Sequence, residues 1–389
     1  MANDLSNIMP KILARGLKVL RQRCSMPRLV NSDYSNDAKE KGDTIDVPIS
    51  VASSVEDVAP ANVPPAGEDT TPTKIQIALD RWKQCKPFHL SDKDMANIDK
   101  NAHFLPGAIE EGVKALANYV NQDLLNCYLG VYGYVGTAGT TPFGSGVGVQ
   151  SATNIRKVLS QQLTPADNRR AVIDHVADAA MLSLAEFSDV EKVGDPNIKL
   201  NGEIGRKYGI DWYADDHVPR HTAGTITTGL IAKAATAQAV GDTSIVCTTA
   251  ASTGACALLE GDIVEFAGDS QTYVLTAAAT QASAATDVTL NISPGKLVAL
   301  TGSEEVTVKA SHRVNLAFHR EAIAFATRPL VDNENLGDLG QKVLSFPDPI
   351  SGLTLRLTVM RQWMRVAWVF DILWGRKLVR PEFAARLAG

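Results

Sequence analysis

The chain is short of the residues that chemistry and targeting need. Its five cysteines (Cys24, Cys85, Cys127, Cys247, Cys256) are scattered, odd in number and free of any C-x-x-C pair. That pattern excludes a disulfide framework and a zinc site, and it suits free thiols in a reducing compartment. There is no excess of base. Net charge is −5 over 389 residues, so no global field draws nucleic acid. No run approaches the roughly 18 apolar residues of a membrane span, and no membrane partner is expected. The start carries Asp4, Pro10 and Lys11 without an apolar stretch, so no signal peptide is expected and a soluble intracellular product is. At about 150 residues per domain, two or three domains are anticipated.

Catalytic patterns are equally scarce. Neither a Gly-x-Ser-x-Gly elbow nor a Walker loop occurs. Gly144-Ser-Gly-Val-Gly148 has its third glycine misplaced for a dinucleotide fingerprint, and no strand precedes it. Asp216, His217 and His221 have types that could ligate a metal, but Pro219 lies between the histidines and works against a shared helix face. A surface turn is the better reading. No catalytic, cofactor-binding or metal-binding residue is assigned, and the chain is not read as an enzyme.

What is present is an oversized hairpin. Thr44–Val51 alternates with Ile45, Val47, Ile49 and Val51 on one face, and Lys74–Asp80 with Ile75, Ile77 and Leu79. Between them, residues 52–73 hold Pro60, Pro64, Pro65 and Pro72, the acids Glu56, Asp57, Glu68 and Asp69, and no base. Loops inside compact domains have a median of about 4–6 residues, so a loop of this size is disordered or reaches for another molecule. Pro48 confines the first strand to an edge or a bulge. The first thirty residues carry six bases against Asp4. Helical spacing puts Ile8, Ile12 and Val19 on one face and Lys11, Arg15 and Lys18 on another. This is either a solvated amphipathic helix or an arm that docks on an acidic partner, such as a neighbour's 52–73 loop or an assembly factor.

Further along, Ser91 and Asp94 suit a capping box. A long helix is expected over Pro106–Leu129, with Ile109, Val113, Leu116, Val120, Leu124 and Tyr128 at spacings of three or four and Glu110 and Glu111 at its positive end. Residues 136–149 read as a flexible connection, Ala171–Ile173 as a strand, and Asp174 as the cap of a helix running towards Phe187. From about Thr222 to Glu305 the chain is rich in Ala, Thr and Gly and carries eight acids against two lysines. Strand-like runs at Ser244–Thr248, Asp262–Ala267, Thr272–Leu275, Asp287–Ile292 and Val306–Val308, separated by Gly-Asp turns, indicate a small all-β domain inserted in a mixed chain. Leu353–Val359 alternates. Val366–Trp374 is apolar except for Asp371 and reads as a buried strand or a buried helix. Arg376, Lys377, Arg380 and Arg386 make the end basic.

Several stretches resemble the major capsid (coat) proteins of tailed bacteriophages, and among them the short-tailed-phage coat proteins with an inserted β-domain. They are Arg28-Leu-Val-Asn-Ser-Asp-Tyr34, Lys41-Gly-Asp-Thr-Ile-Asp-Val-Pro48, Arg81-Trp-Lys-Gln-Cys-Lys-Pro-Phe88 and Leu90-Ser-Asp-Lys93, then Glu260 to Gly268, Arg313 to Leu330, Phe370 to Gly375 and Val379 to Phe383. The resemblance covers nearly the whole chain and is weakest at 136–165 and 275–305. It implies an α+β fold of the Hong Kong 97 type. In that layout, residues 1–40 are an N-terminal arm, 41–80 an extended loop, and 81–150 a peripheral domain with a spine helix. Residues 151–221 and 309–350 form an axial domain, 222–308 an inserted β-domain, and 351–389 the C-terminal strands of the peripheral domain. It also implies a homo-oligomeric icosahedral shell of pentamers and hexamers around double-stranded DNA, assembled in the host cytoplasm. Scaffolding and portal partners follow, with weak non-specific DNA contact and no cofactor. Lys11, Arg15, Lys18, Glu56, Asp57, Glu68 and Asp69 are the candidate interface residues. The rival readings are a bacterial nanocompartment shell and a carbohydrate- or receptor-binding module on the 222–305 segment. The module would be expected to show aromatic platforms, and the segment has only Phe266 and Tyr273.

Overall fold

The computed structural model describes residues 25–33, 44–49, 73–93, 107–189, 204–225, 229–233, 238–249, 256–281, 286–328, 341–348 and 352–389, with Ile12, Leu13, Gly16, Lys18, Val55, Asp57, Val58, Pro60 and Leu330. The chain divides into two compact units. The first comprises Met1–Leu20, Ser32–Leu116 and Ala324–Val379, and the second Arg21–Asn31, Ala117–Ile323 and Arg380–Gly389.

The first unit is organised by one long strand, Arg365–Leu378. The apolar run Val366–Trp374 lies within it, which settles the strand-or-helix ambiguity. On one edge it pairs antiparallel with Thr354–Gln362, which in turn pairs with Gln341–Pro347. The other edge is shared by short strands: Phe88–Ser91 opposite Arg365–Trp368, Arg81–Gln84 opposite Asp371–Trp374, and Ile323–Thr327. In the gap between the first two, the Cys85 N–H donates to Phe370 O at 2.9 Å and the Phe370 N–H donates to Cys85 Sγ at 3.3 Å. Covered on both faces, the strand reads as continuous apolar sequence rather than as alternation. Trp368, Phe370 and Trp374 are fully buried. Asp371, the one acid in the run, is buried and held by Arg356 directly across the ladder, with Nε at 2.9 Å, and by the Trp82 indole N–H at 2.7 Å.

The expected hairpin forms a two-stranded ribbon, Thr44–Ile49 against Thr73–Ala78, in the register Thr44↔Ala78 to Ile49↔Thr73. The two strands form a sheet of their own, so Pro48 sits on an edge strand that tolerates its missing N–H. Ile45, Val47, Ile77 and Leu79 bury one face against Ala324, Ala326 and Val379. The other face is polar: Asp46 accepts from Lys74 Nζ and Gln76 Nε2, each at 2.9 Å. At the foot of the ribbon the Ala78 carbonyl lies so near Gly375 that a Cβ there would stand 2.2 Å from it. From the N-terminal segment, Ile12 and Leu13 are buried, and a Cβ on Gly16 would meet Leu355 and Val113 side chains at 3.4 Å.

The anticipated long helix runs over Gly107–Leu125, about 28 Å at 1.5 Å per residue, and its last turn tightens into a 3-10 segment at Asn126–Gly130. Val113, Leu116, Val120 and Leu124 are buried as their spacing predicts. The side chain of Ile109 lies outside the described residues, as does most of the segment expected to follow the Ser91 cap. Ser91 itself ends the strand Phe88–Ser91.

In the second unit, strands Gly133–Val135, Ala384–Ala388, His312–His319, Arg169–Ile173, Ile210–Ala214 and Arg206–Lys207 form one mixed sheet in that order, and Arg220–His221 pairs with His312–His319. Asp174 caps a helix, accepting from the Ala177 N–H at 3.1 Å, but the helix stops at Leu182 and a separate turn covers Ala185–Ser188. A helix over Gln150–Gln161, not anticipated, buries Ile155 and Leu159. Residues 136–149 are a series of turns that sends Phe143 into the core against Phe187 and Trp212, rather than a loose connection. Between Leu230 and Val308, six antiparallel strands form a second sheet around a core of their own that includes Leu230, Ile245, Leu258, Phe266, Tyr273 and Leu290. All five expected strands of this segment are present, the ends differing by a residue or so.

Gly375→Val forces a side chain into the Ala78 carbonyl. It is expected to lower stability by about 1–3 kcal/mol and to speed hydrogen exchange in Thr73–Ala78 more than in Thr354–Gln362, as read by exchange mass spectrometry.

Candidate functional site

The features that could serve assembly lie at the surface of the first unit. Beyond Ile49 the chain leaves the ribbon, and Val55 and Val58 are 97% and 95% exposed. Asp57 between them is exposed as well. Lys18 is exposed, while Ile12 on the opposite helical face is buried. Lys11, Arg15, Glu56, Glu68 and Asp69 lie outside the described residues. No hydrogen bond or ion pair joins Lys18 to Asp57 among the described residues.

The buried polar groups of the second unit form a different kind of site. His221, expected on a surface turn, is 3% exposed and its Nε2 lies 2.8 Å from Asp262 Oδ1. Asp262, fully buried, also accepts from the N–H groups of Gly224 and Leu259. Tyr128 Oη is 3.3 Å from His221 Nδ1. Arg386, assigned from the sequence to a basic end, is fully buried instead. It donates to the Gly261 carbonyl at 2.8 Å and stacks on Tyr128, 5.0 Å from the ring centre. Burial lowers the Arg386 pKa to about 9, against the opposing pull of Tyr128 and Asp262. His312 adjoins, its ring 5.5 Å from that of His221 and 5.3 Å from that of Tyr134. Its Nδ1 is 2.8 Å from Ala310 O, and its buried Nε2 meets no hydrogen-bond partner. Burial holds its pKa down, to about 4, with Arg386 and His221 adding to the effect.

This cluster joins the sheet that holds His221, His312 and Arg386 to the strands that follow Asp262. Asp262 is buried with three hydrogen-bond partners, so its chemistry is structural. Asp216, by contrast, is half-exposed and pairs with His175 at 2.6 Å, and His217 turns to Asp215 at 3.4 Å. The three residues weighed as metal ligands therefore have three different partners. No group of three or more metal-ligating side chains occurs among the described residues. Within 222–305, Phe266 and Tyr273 are both fully buried around Lys296, whose Nζ lies 4.1 Å from the Phe266 ring centre and 2.9 Å from Asp269. They offer no platform for a sugar. Among the described residues no helix is long and apolar enough to cross a membrane.

No family model matches the chain, and no curated protein matches it. Solved structures do. A chain from a structure of Mycobacterium phage Che8 is similar over 94% of this chain and 91% of its own length, with 13% identity and a TM-score of 0.51. At that identity the likeness shows a shared fold and nothing finer. The chain thus has a fold found in a phage structure, in agreement with the resemblance drawn from its motifs. A chain from the capsid structure of the cyanophage P-SCSP1u aligns over 90% of this chain and 84% of its own, with 12% identity and a TM-score of 0.46. One from a virus-like particle of Pyrococcus furiosus aligns over 97% and 98%, with 8% identity and a TM-score of 0.42. These two scores are too low to argue a shared fold.

Two outcomes follow from the buried cluster. Asp262→Ala leaves His221 and two backbone N–H groups without their acceptor and is expected to cost about 3–5 kcal/mol in denaturant unfolding. His312 takes up its proton far more readily unfolded than folded. Its contribution is complete above its ordinary pKa of 6.5 and is lost as pH falls towards 4, on the order of 3 kcal/mol. His312→Phe is expected to flatten the stability profile between those pH values, measured by urea titration.

Proposed function

We propose that the chain is the major capsid protein of a tailed phage, self-assembling into the icosahedral shell that encloses a double-stranded DNA genome. The observation that carries this is the fold shared with the Che8 chain along nearly the full length of both. In this reading the ribbon and residues 52–72 are the extended loop, the helix Gly107–Leu125 is the spine, and the strands between Leu230 and Val308 are the inserted domain. Support for the insertion is its separate core and its own sheet. Pentamers and hexamers of the chain, a scaffold, a portal and weak contact with packaged DNA complete the assembly, which forms in the host cytoplasm and ends as the virion capsid.

The mechanism is multivalency. Single contacts between subunits can be weak enough to break and correct, while a closed shell multiplies them through effective concentration. A ribbon anchored at one end suits that task. Its foot is packed against Ala324, Ala326 and Val379, and the chain beyond it carries valines with almost no contact. Lys11, Arg15 and Lys18 face Glu56, Asp57, Glu68 and Asp69 of a neighbour in this scheme, with opposite charges across the contact.

Electron microscopy of the protein expressed alone and with its scaffold tests the reading: closed shells of uniform size are expected. Shells that hold a cargo protein and exclude DNA during infection would instead favour a nanocompartment. Deleting residues 52–72 is expected to leave circular dichroism unchanged and to abolish closed shells. Changing Lys11, Arg15 and Lys18 together to Glu is expected to slow assembly at low salt, followed by light scattering; unchanged kinetics would count against the arm's role.

A further inference from the structure

The short strand Arg220–His221 meets His312–His319 in the register His221↔His312 and Arg220↔Arg313. By these two strands the chain leaves the mixed sheet before residue 222 and rejoins it after residue 311. Alternation along a strand sends neighbours to opposite faces. Both histidines are accordingly buried and both arginines exposed. Residues directly opposite on antiparallel strands share a face, and like charges placed there destabilise the pair. Nothing nearby relieves the two arginines. Among the described residues the Arg220 guanidinium has no hydrogen bond or ion pair. Arg313 Nε stands 3.6 Å from Asp174 Oδ2, beyond hydrogen-bonding distance. The Asp174 side chain is engaged elsewhere, as the cap of the helix His175–Leu182. Arg220 and Arg313 line one cleft of about 220 Å³, whose other walls include Thr141, Pro142, Asp174 and Val176. Small-molecule and cofactor sites run from roughly 300 to 1,000 Å³, so this cleft suits a single charged group. Two guanidinium groups against one carboxylate leave one positive charge. That surplus fits a singly charged oxyanion, which the planar guanidinium fork grips through two parallel N–H bonds.

We propose that this cleft binds the carboxylate of a Glu or Asp side chain carried on a peptide segment of a partner protein, with Arg220 and Arg313 as the binding residues. Val176, 56% exposed, and Pro142 give apolar surface to the methylene stem of such a side chain. Asp174 in the cleft wall and the net charge of −5 work against a nucleic-acid backbone, whose phosphates arrive as an unbroken row of charge. A lone carboxylate meets only the charge that the arginines leave over. Its arrival also removes the repulsion between Arg220 and Arg313, and so ties together the two strands that bound residues 222–311. The cleft is built within one chain, and its occupation does not depend on whether that chain forms a shell.

In the test, the full chain is treated with phenylglyoxal, which modifies exposed guanidinium groups, and the rate at each arginine is read by peptide mass mapping. The probes are acetyl-Ala-Glu-Ala-amide, its Gln counterpart and dimethyl phosphate, at equal concentration and ionic strength. At saturation the Glu peptide is expected to slow labelling of Arg220 and Arg313 by about tenfold or more. Labelling of Arg361 and Arg365, exposed in the other unit, should not change. The Gln peptide is expected to give no protection, and dimethyl phosphate less than the Glu peptide. A Glu peptide that protects no better than its Gln counterpart overturns the site. Dimethyl phosphate that protects as well as the Glu peptide overturns the peptide partner and assigns the cleft to a nucleic-acid phosphate. Arg220→Ala, with no probe present, is expected to unfold at the wild-type urea midpoint or above it, because a facing pair of like charges is gone. In that variant the Glu peptide should no longer protect Arg313. A lower midpoint, or an Arg313 still protected, makes Arg220 a structural residue and overturns the proposal.

Discussion

The backbone ladder of Arg365–Leu378 is the constraint on which the first unit depends. Both edges are occupied, and the two sides place different demands on the sequence. Along one edge a single long partner runs in unbroken register. Along the other, short strands meet at Cys85, where the chain must break and resume without leaving Phe370 unpaired. A thiol, small and weakly hydrogen-bonding, fills that joint. The ribbon also approaches this strand, at Gly375, where nothing projects.

Both units bury charge. Asp371 with Arg356 and Trp82, and Asp262 with His221, are satisfied within dense apolar surroundings. Such groups contribute less to net stability than to choice among alternatives, because a slipped register would strand a charge without its partner. In the ladder this has a direct form: a one-residue slip of Arg356 against Asp371 would turn one of them to the opposite face.

Much of the fold was legible in local pattern. The ribbon declared itself through strict alternation, the long helix through repeats of three and four, and the strands of the 222–308 segment through turn pairs such as Gly261-Asp262. These signals are local, and local geometry produces them. Where placement is decided by distant residues, the pattern was silent. Arg386 looked like part of a basic end because nothing near it in sequence shows that the Gly261 carbonyl and the Tyr128 ring will enclose it. His221 looked exposed because its partner lies 41 positions away. The helix Gln150–Gln161 has a recoverable signal in Ile155 and Leu159, set in a polar stretch that hides it. The candidate assembly residues are the least determined of all by one chain: Lys18 and Asp57 face solvent, and no contact within the described residues fixes a role for them.

The order in which the two sheets are completed has a consequence in time. Trp82 meets Asp371 across 289 positions, and the sheet of the second unit places Ala384–Ala388 between Gly133–Val135 and His312–His319. During synthesis, neither sheet can close until the stretch from Arg365 to Ala388 has emerged. Both then close on nearly the same segment. Until that moment a growing chain offers open strand edges but no finished unit, and long-range pairing of this kind forms slowly. The topology acts as a clock: neither sheet is whole until the chain itself nearly is.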